Sequence, residues 1–272
     1  MPSIYAHRRM GQQVRKELTG QCKEAIEAWP ELYAIGLQGP DILFYYKPLF
    51  KDRVNAVGHE LHRRAGTVFF ENASKAVRES PQPKAALSYA YGALNHFALD
   101  VTCHPYVDEK IKASGVSHTE IEVEFDRFLM LDDGLDPVSC VLTEGIVPSA
   151  ANAAVIAPFY PGVTAMQIQK ALRSMIFYNR LLLARSNAKR KVIRAVLQAA
   201  GHRELQGLVI NPQGNPDCAD SSQRLKELCG LAKERAKGFV EDFDAYLAGK
   251  RPLPELLDLS FGGTRPESGE RE

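Results

Sequence analysis

The sequence predicts an all-α protein, and three observations support this fold class. Apolar residues recur at intervals of three and four through most of the 272 residues, which is the spacing of amphipathic helices. Alternating strand patterns are weak throughout, and proline- and glycine-containing turns separate the periodic segments. We expect a compact multi-helix bundle that forms one domain over residues 1–261. The polar residues 262–272 are expected to be a disordered tail.

In the first half of the chain, helical spacing predicts helices over residues 12–29, 55–78 and 84–103. The third of these segments, AALSYAYGALNHFALDVTC, is the most apolar and is expected to be a buried central helix. Pro105 is expected to end this helix, because proline lacks the backbone N–H that a helix interior needs.

In the second half, Ser117 is placed to cap a helix over residues 118–131. The apolar stretch 145–163 contains three prolines and is expected to be a buried or lid-like loop. Residues 164–200 form the longest periodic segment, and a last amphipathic helix is predicted over 223–247.

Composition excludes some function classes and leaves others open. With 34 Lys+Arg and 33 Asp+Glu, the net charge favours no class of partner. The five cysteines are odd in number and form no Cys-x-x-Cys pair, which argues against a disulfide framework and against a thiolate zinc site. No signal-peptide pattern and no run of 18 apolar residues occurs, so we expect a cytoplasmic protein with no membrane span.

The most informative pattern is His96-x-x-x-Asp100-x-x-x-His104, followed by His118-x-x-x-Glu122. A gap of four residues is about one helical turn, so the side chains within each piece share a face. Imidazoles and carboxylates that converge are typical ligands of a divalent metal such as zinc. The alternative is a set of ordinary His–carboxylate ion pairs in the core.

Further candidates lie upstream. His7 precedes the first predicted helix, Asp41 occupies a Gly-Pro-Asp turn, and His59 and His62 stand in the sequence GHELH. Each of these residues alone is more often a surface or turn residue. The remaining histidine, His202, follows a predicted helix end and is interpreted as structural.

The order of these residues resembles that of the zinc-dependent phospholipase C family over about residues 1–130. The resemblance implies an all-α fold of that type, shared with fungal single-strand nucleases, and phosphodiesterase activity at a site of two or three zinc ions. It also implies eight ligands, which are His7, Asp41, His62, His96, Asp100, His104, His118 and Glu122.

Within that implied set, Asp100 bridges two ions. His96, Asp41 and either His62 or His59 complete the site of the first ion, and His7 binds the second. We favour His62, because the downstream Phe69-Phe70 would then lie where the family's helix continues into the core.

The resemblance assigns His104, His118 and Glu122 to the third ion. Asp126 continues the face of His118 and Glu122 and is a candidate to orient these ligands, whereas Glu120 lies on the opposite face.

Three departures separate the chain from the secreted members, one of which is the different composition of its second half. Those enzymes use their mature N-terminal tryptophan as a zinc ligand, while this chain starts Met-Pro-Ser. His104 also follows Asp100 more closely than is usual in the family.

These residues predict a zinc-dependent phosphoesterase in which Asp41 orients or deprotonates the attacking water. A phospholipid or nucleotide-like phosphate ester is the expected substrate, with no stable nucleic-acid complex. The alternative is a metal-binding helical protein of the same fold that lacks activity. A third possibility, the metal phosphohydrolases with adjacent His-Asp ligands, is disfavoured because no His-Asp dipeptide occurs.

One further feature concerns the substrate. Residues 164–200 contain eight Lys and Arg and no Asp or Glu. Such a stretch either faces phosphates or an anionic surface, or forms a solvated face that pairs with the acidic segment 120–136.

Overall fold

The computed structural model describes residues 4–201 and 203–266, and its regular segments are helices apart from one isolated bridge between Ala65 and Ser260. This confirms the all-α fold class. The α-helices are α1 (Ile4–Glu17), α2 (Gly20–Ala28), α3 (Pro30–Gly36), α4 (Arg53–Arg63), α5 (Gly66–Glu79), α6 (Pro83–Ser114), α7 (His118–Asp132), α8 (Ala150–Ile156), α9 (Ala165–Leu182), α10 (Asn187–Ala199) and α11 (Ala219–Leu247).

The core forms around α6, which packs against α3 and α11 and also contacts α1, α2 and α5. Nearly every residue from Ala85 to Cys103 is buried, as predicted for a central helix. The backbones of α3 and α6 approach closely at Gly36 and Gly92, because a Cβ on Gly36 would lie 2.3 Å from the carbonyl oxygen of Tyr89. Side chains at these two positions would force the helices apart.

The prediction that Pro105 ends this helix is wrong, because α6 continues to Ser114 and is capped by Gly115 at a φ of 71°. Gly263 lies against the Pro105 ring and the Val101 carbonyl, the group whose helical partner proline removes. The packing of α6 before and after Pro105 outweighs the free-energy cost of a proline inside the helix. As a result, His104 stays on the same helix as His96 and Asp100.

Two predicted helices in the first half are each divided in the structure. The segment 12–29 contains the end of α1 and all of α2, which are separated before Gly20 at a φ of 63°. The segment 55–78 contains α4 and α5, which are separated at Arg64, where the backbone is extended. Periodicity missed both breaks because apolar residues on either side keep helical spacing.

The second half also differs from expectation. The proline-rich stretch 145–163 contains α8 and a short 3-10 helix (Ala157–Phe159), and buried Tyr160 fixes it to the core, so it is not a lid-like loop. The segment 164–200 divides into α9 and α10, since Ser186 caps a new helix by accepting from the Lys189 amide.

The C-terminal residues also pack against the helices. Ser260 donates its amide to the Thr264 carbonyl, which forms a turn at the start of the segment predicted to be a disordered tail. Residues 267–272 of that tail, and His202, lie outside the described residues.

The acidic segment 120–136 pairs with other parts of the chain than predicted. Asp132 contacts Arg9 and Lys226, and Glu124 contacts Arg127. The partners of Asp132 and Glu124 thus lie on α1, α7 and α11, outside the basic stretch 164–200. Among the described helices, none combines the length and apolar character that crossing a bilayer requires.

Candidate metal centre

The structure brings all eight predicted ligands into three neighbouring clusters. In each cluster one ligand atom per residue lies within 4.8 Å of the others. The clusters are His7–His96–Asp100, Asp41–His62–His96, and His104–His118–Glu122. We refer to them as the first, second and third cluster.

The first cluster is centred on the buried carboxylate of Asp100. His7 Nε2 lies 3.3 Å from Oδ1, and His96 Nε2 lies 3.1 Å from Oδ2. His104 Nε2 approaches Oδ1 at 3.9 Å, so Asp100 also adjoins the third cluster. A carboxylate whose two oxygens face different imidazoles has the arrangement that a bridging ligand requires.

The second cluster is built by a 3-10 helix (Gly39–Tyr45) that carries Asp41 and by the last turn of α4. His62 Nε2 lies 2.9 Å from Asp41 Oδ1. His59 is exposed and packs its ring on Phe44, so the geometry favours His62. Our reason for that preference was wrong, because α4 ends before Phe69 and Phe70, which lie on α5.

The third cluster joins α6 to the first turn of α7. Glu122 Oε1 lies 3.1 Å from His118 Nε2 and 3.4 Å from His104 Nε2. Ser117 caps α7 by accepting from the Glu120 amide, as predicted. This cap fixes where α7 begins, and thereby sets the register in which His118 and Glu122 share a face.

Three of the histidines are oriented by backbone carbonyls. The Nδ1 of His96 lies 3.2 Å from the carbonyl oxygen of Leu37. The Nδ1 of His62 lies 2.7 Å from the carbonyl oxygen of Gly58, and that of His104 lies 2.9 Å from the carbonyl oxygen of Phe261. A carbonyl only accepts hydrogen bonds, so Nδ1 carries the proton in each ring. When such a ring is neutral, its Nε2 is unprotonated and faces the cluster, which is the usual arrangement around metal-binding histidines.

These carbonyls were missed by sequence analysis. Phe261 is the clearest case, since it lies next to the predicted disordered tail, yet its buried ring packs on His62 and His96. A backbone carbonyl carries no residue-type signal, and a contact across 157 positions leaves no periodicity.

Gly39 is a second supporting residue that the sequence did not single out. Its φ is 49°, and a Cβ built on it would lie 2.3 Å from Cδ2 of His96. Buried Tyr160 donates its hydroxyl to the Gly39 carbonyl at 2.9 Å. The turn that carries Asp41 is therefore pressed against the His96 ring, and only glycine fits there.

Asp126 binds the first turn of α1. Its carboxylate accepts from the amides of Tyr5 and Ala6 at 3.0 and 2.8 Å. A carboxylate at a helix N-terminus satisfies open amides and complements the helix dipole. Asp126 thereby positions the start of α1, where His7 follows Ala6 directly. Residues 1–3, which stand where the family resemblance has its N-terminal ligand, lie outside the described residues.

The carboxylates are ionised despite their burial. Burial alone would raise the pKa of Asp100, but the charges of His96 and His104 and a hydrogen bond from His7 hold it well below its usual value. Burial opposes ionisation of Asp41 and Glu122 too, yet His62 lowers the pKa of Asp41, and His104 and His118 lower that of Glu122.

The histidines differ from one another. Burial favours the neutral form of His104, but the charges of Asp100 and Glu122 raise its pKa to about 10. Burial and the neighbouring His96 lower the pKa of His7.

The donor set fits zinc better than a network of core ion pairs. The rings of His7 and His96 stack with centroids 4.2 Å apart, a poor arrangement for two buried cations. His7 Nδ1 is buried and has no hydrogen-bond partner among the described residues. Imidazole nitrogens and carboxylate oxygens are ligands that zinc accepts, and the carbonyl-bonded histidines present the required atom.

Comparison with known proteins agrees with this geometry. No curated protein and no solved structure matches the chain. The family model described as zinc dependent phospholipase C matches residues 6–160, which is more than half of the chain and includes all eight clustered residues. The chain therefore belongs to the zinc-dependent phospholipase C family.

Proposed function

We propose that this protein is a zinc-dependent phosphodiester hydrolase of phospholipase C type, and that the eight clustered residues are its zinc ligands. The observation that carries the proposal is the orientation of His62, His96 and His104, whose Nδ1 atoms bond to carbonyls while their Nε2 atoms face carboxylates. Family membership supports the choice of zinc.

The three clusters have separate roles in this proposal. Asp100 would be the ligand common to two ions, because its Oδ1 faces His7 and its Oδ2 faces His96, and His96 also belongs to the second cluster. His104, His118 and Glu122 hold a third ion. Bound zinc would lower the pKa of a coordinated water and stabilise charge on the phosphate oxygens.

Asp41 is the proposed catalytic residue. Its carboxylate is partly exposed, with 17% of the side chain accessible, whereas that of Asp100 is 7% exposed. Its lowered pKa keeps it ionised, so that it can accept a hydrogen bond from the attacking water. Asp41 thus orients this water by accepting its hydrogen bond, while also contributing to the second cluster.

A phospholipid-like phosphodiester is the proposed substrate class, in line with the family description. The test is hydrolysis of a soluble chromogenic phosphocholine diester by zinc-loaded protein, with the Asp41→Asn variant alongside. We expect turnover by the wild type and a loss of about 100-fold or more in the variant, the usual contribution of a general base. Equal rates would exclude Asp41 from the chemistry.

The alternative remains a non-catalytic metal protein of the same fold. It predicts full zinc content with no release of product from any phosphodiester, including a phosphatidylcholine micelle and a dinucleotide. Measuring zinc and turnover on one preparation separates the two functions.

A further inference from the structure

A second feature of the molecule is an apolar cavity of about 380 Å³ beside the metal centre. It lies between α7, the segment 138–143, the end of α9, and α10, and it is lined mainly by aliphatic side chains. This volume falls in the range of small-molecule sites. The cavity contains none of the eight clustered residues, so it is a separate site.

Helix α10 forms the outer wall of this cavity. Its aliphatic residues line the space, yet Val192 and Val196 remain 61% and 60% exposed and Arg190 is its only buried residue. Arg190 fixes the helix by donating to the Ala184 carbonyl at 2.6 Å. The apolar side of α10 is therefore held over open space instead of packing on the core.

The cavity and the metal centre share three structural elements. On α1, Ile4 lines the cavity, and His7 follows Ile4 about one turn later. On α7, Val123 lines the cavity and is the residue after Glu122. The third element is the 3-10 helix, where Tyr45 lines the cavity and Asp41 belongs to the second cluster. Ile4 and Tyr45 lie about one helical turn from His7 and Asp41, so the cavity borders elements that carry the clustered residues.

The polar groups at the inner end of the cavity are already engaged. The Asp126 carboxylate accepts from two amides of α1, and Tyr45 accepts from the Asn179 side chain at 3.2 Å. The rest of the lining is mainly aliphatic, with few donors or acceptors to recognise a sugar or a base. Such a wall suits an unbranched hydrocarbon chain.

Charge around the cavity points to the same class of molecule. The lining segments carry the exposed cations Arg180, Arg185 and Lys191, and the stretch 164–200 contains no acidic residue. An amphiphile with an anionic phosphate head and an aliphatic tail complements both features.

We propose that this cavity binds one aliphatic chain of the phosphate-ester substrate and so directs its head to the metal clusters. That the molecule carrying this aliphatic chain is the substrate rests on the proposed function. The presence of a chain-binding site does not, because it can be measured without turnover.

The binding test uses calorimetric titration of the full chain with butyrate, laurate and palmitate. We expect laurate and palmitate to bind with one molecule per chain and butyrate not to bind. Leu197→Asp, which places a charge in the cavity, and Ile193→Trp, which fills it, should each weaken laurate binding at least tenfold. The matched control Gln198→Asp, on the exposed side of α10, should bind as the wild type does. Circular dichroism verifies that all variants are folded.

The substrate test compares phosphocholine diesters with short and long chains. The wild type and Gln198→Asp should show a KM at least tenfold lower for the long chain, and Leu197→Asp should lose this difference. Absence of laurate binding, or self-association through α10 in its place, would overturn the chain site. Laurate binding without a chain-length effect on KM would overturn the substrate assignment alone. If no diester is hydrolysed, the proposed function fails while the titration still decides whether the chain site exists.

Discussion

Substituting Asp100 by Asn tests the bridging role directly. The side chain keeps its shape but loses the charge that faces His7 at 3.3 Å and His96 at 3.1 Å. Changing a residue that merely orients a ligand typically costs 10–100-fold in metal affinity. A direct ligand of two ions should reach at least about 100-fold for each, which corresponds to about 2.8 kcal/mol.

The assay is zinc content by elemental analysis together with zinc affinity by competition with a chelator. We expect Asp100→Asn to lose the ions of the first and second clusters and to keep about one zinc at the third. Hydrolysis should fall in parallel, because the proposed attack takes place at the lost pair. Asp244→Asn is the matched control: this carboxylate also bonds to α6, accepting from Tyr91 at 2.6 Å, but it lies outside the clusters. It should retain all of its zinc.

Full zinc content in Asp100→Asn would refute the bridging assignment. Loss of zinc in both variants would refute the reasoning as well, since it would show that metal content follows general stability. Only a loss confined to Asp100→Asn agrees with the geometry.

Three further predictions concern other parts of the site. Glu122→Gln should release one zinc, leaving the ions beside Asp100 bound, and elemental analysis of the variant checks this. Gly39→Ala should lower zinc affinity about 10–100-fold without touching a ligand, because its Cβ displaces the His96 ring; chelator competition measures the change, and unaltered affinity would contradict the packing argument. In the metal-free protein the pKa of His104 is raised to about 10, so this ring is protonated at neutral pH and must lose its proton to bind metal. Zinc affinity should therefore rise with pH between 7 and 10, and calorimetry in buffers of different ionisation enthalpy should detect the released proton; a pH-independent affinity would contradict it.

Much of the site could be predicted from the sequence, because its ligands occur in pairs at helical spacing. His96, Asp100 and His104 occupy successive turns of α6, and the structure places them on one side as the spacing predicts. The family resemblance added His7 and Asp41, whose positions in the chain carry no such regularity.

The remainder depended on contacts between distant segments. Pro105 has a local preference to end a helix, and packing by Gly263 outweighs it. The carbonyl of Phe261 orients His104 across 157 positions, and no residue pattern encodes such a contact. The cavity beside α10 could not be predicted either. Aliphatic residues at helical spacing predict that a helix face packs on a neighbour, whether or not a neighbour fills the space.

The central claim is that these clusters hold zinc, and the most direct test is metal content per chain, measured by elemental analysis on protein purified without a His-tag. The account predicts two or three zinc ions per chain, removed by a chelator and restored by added zinc. Absence of zinc after zinc has been supplied would contradict it, and the histidines and carboxylates would then be ion pairs of the core.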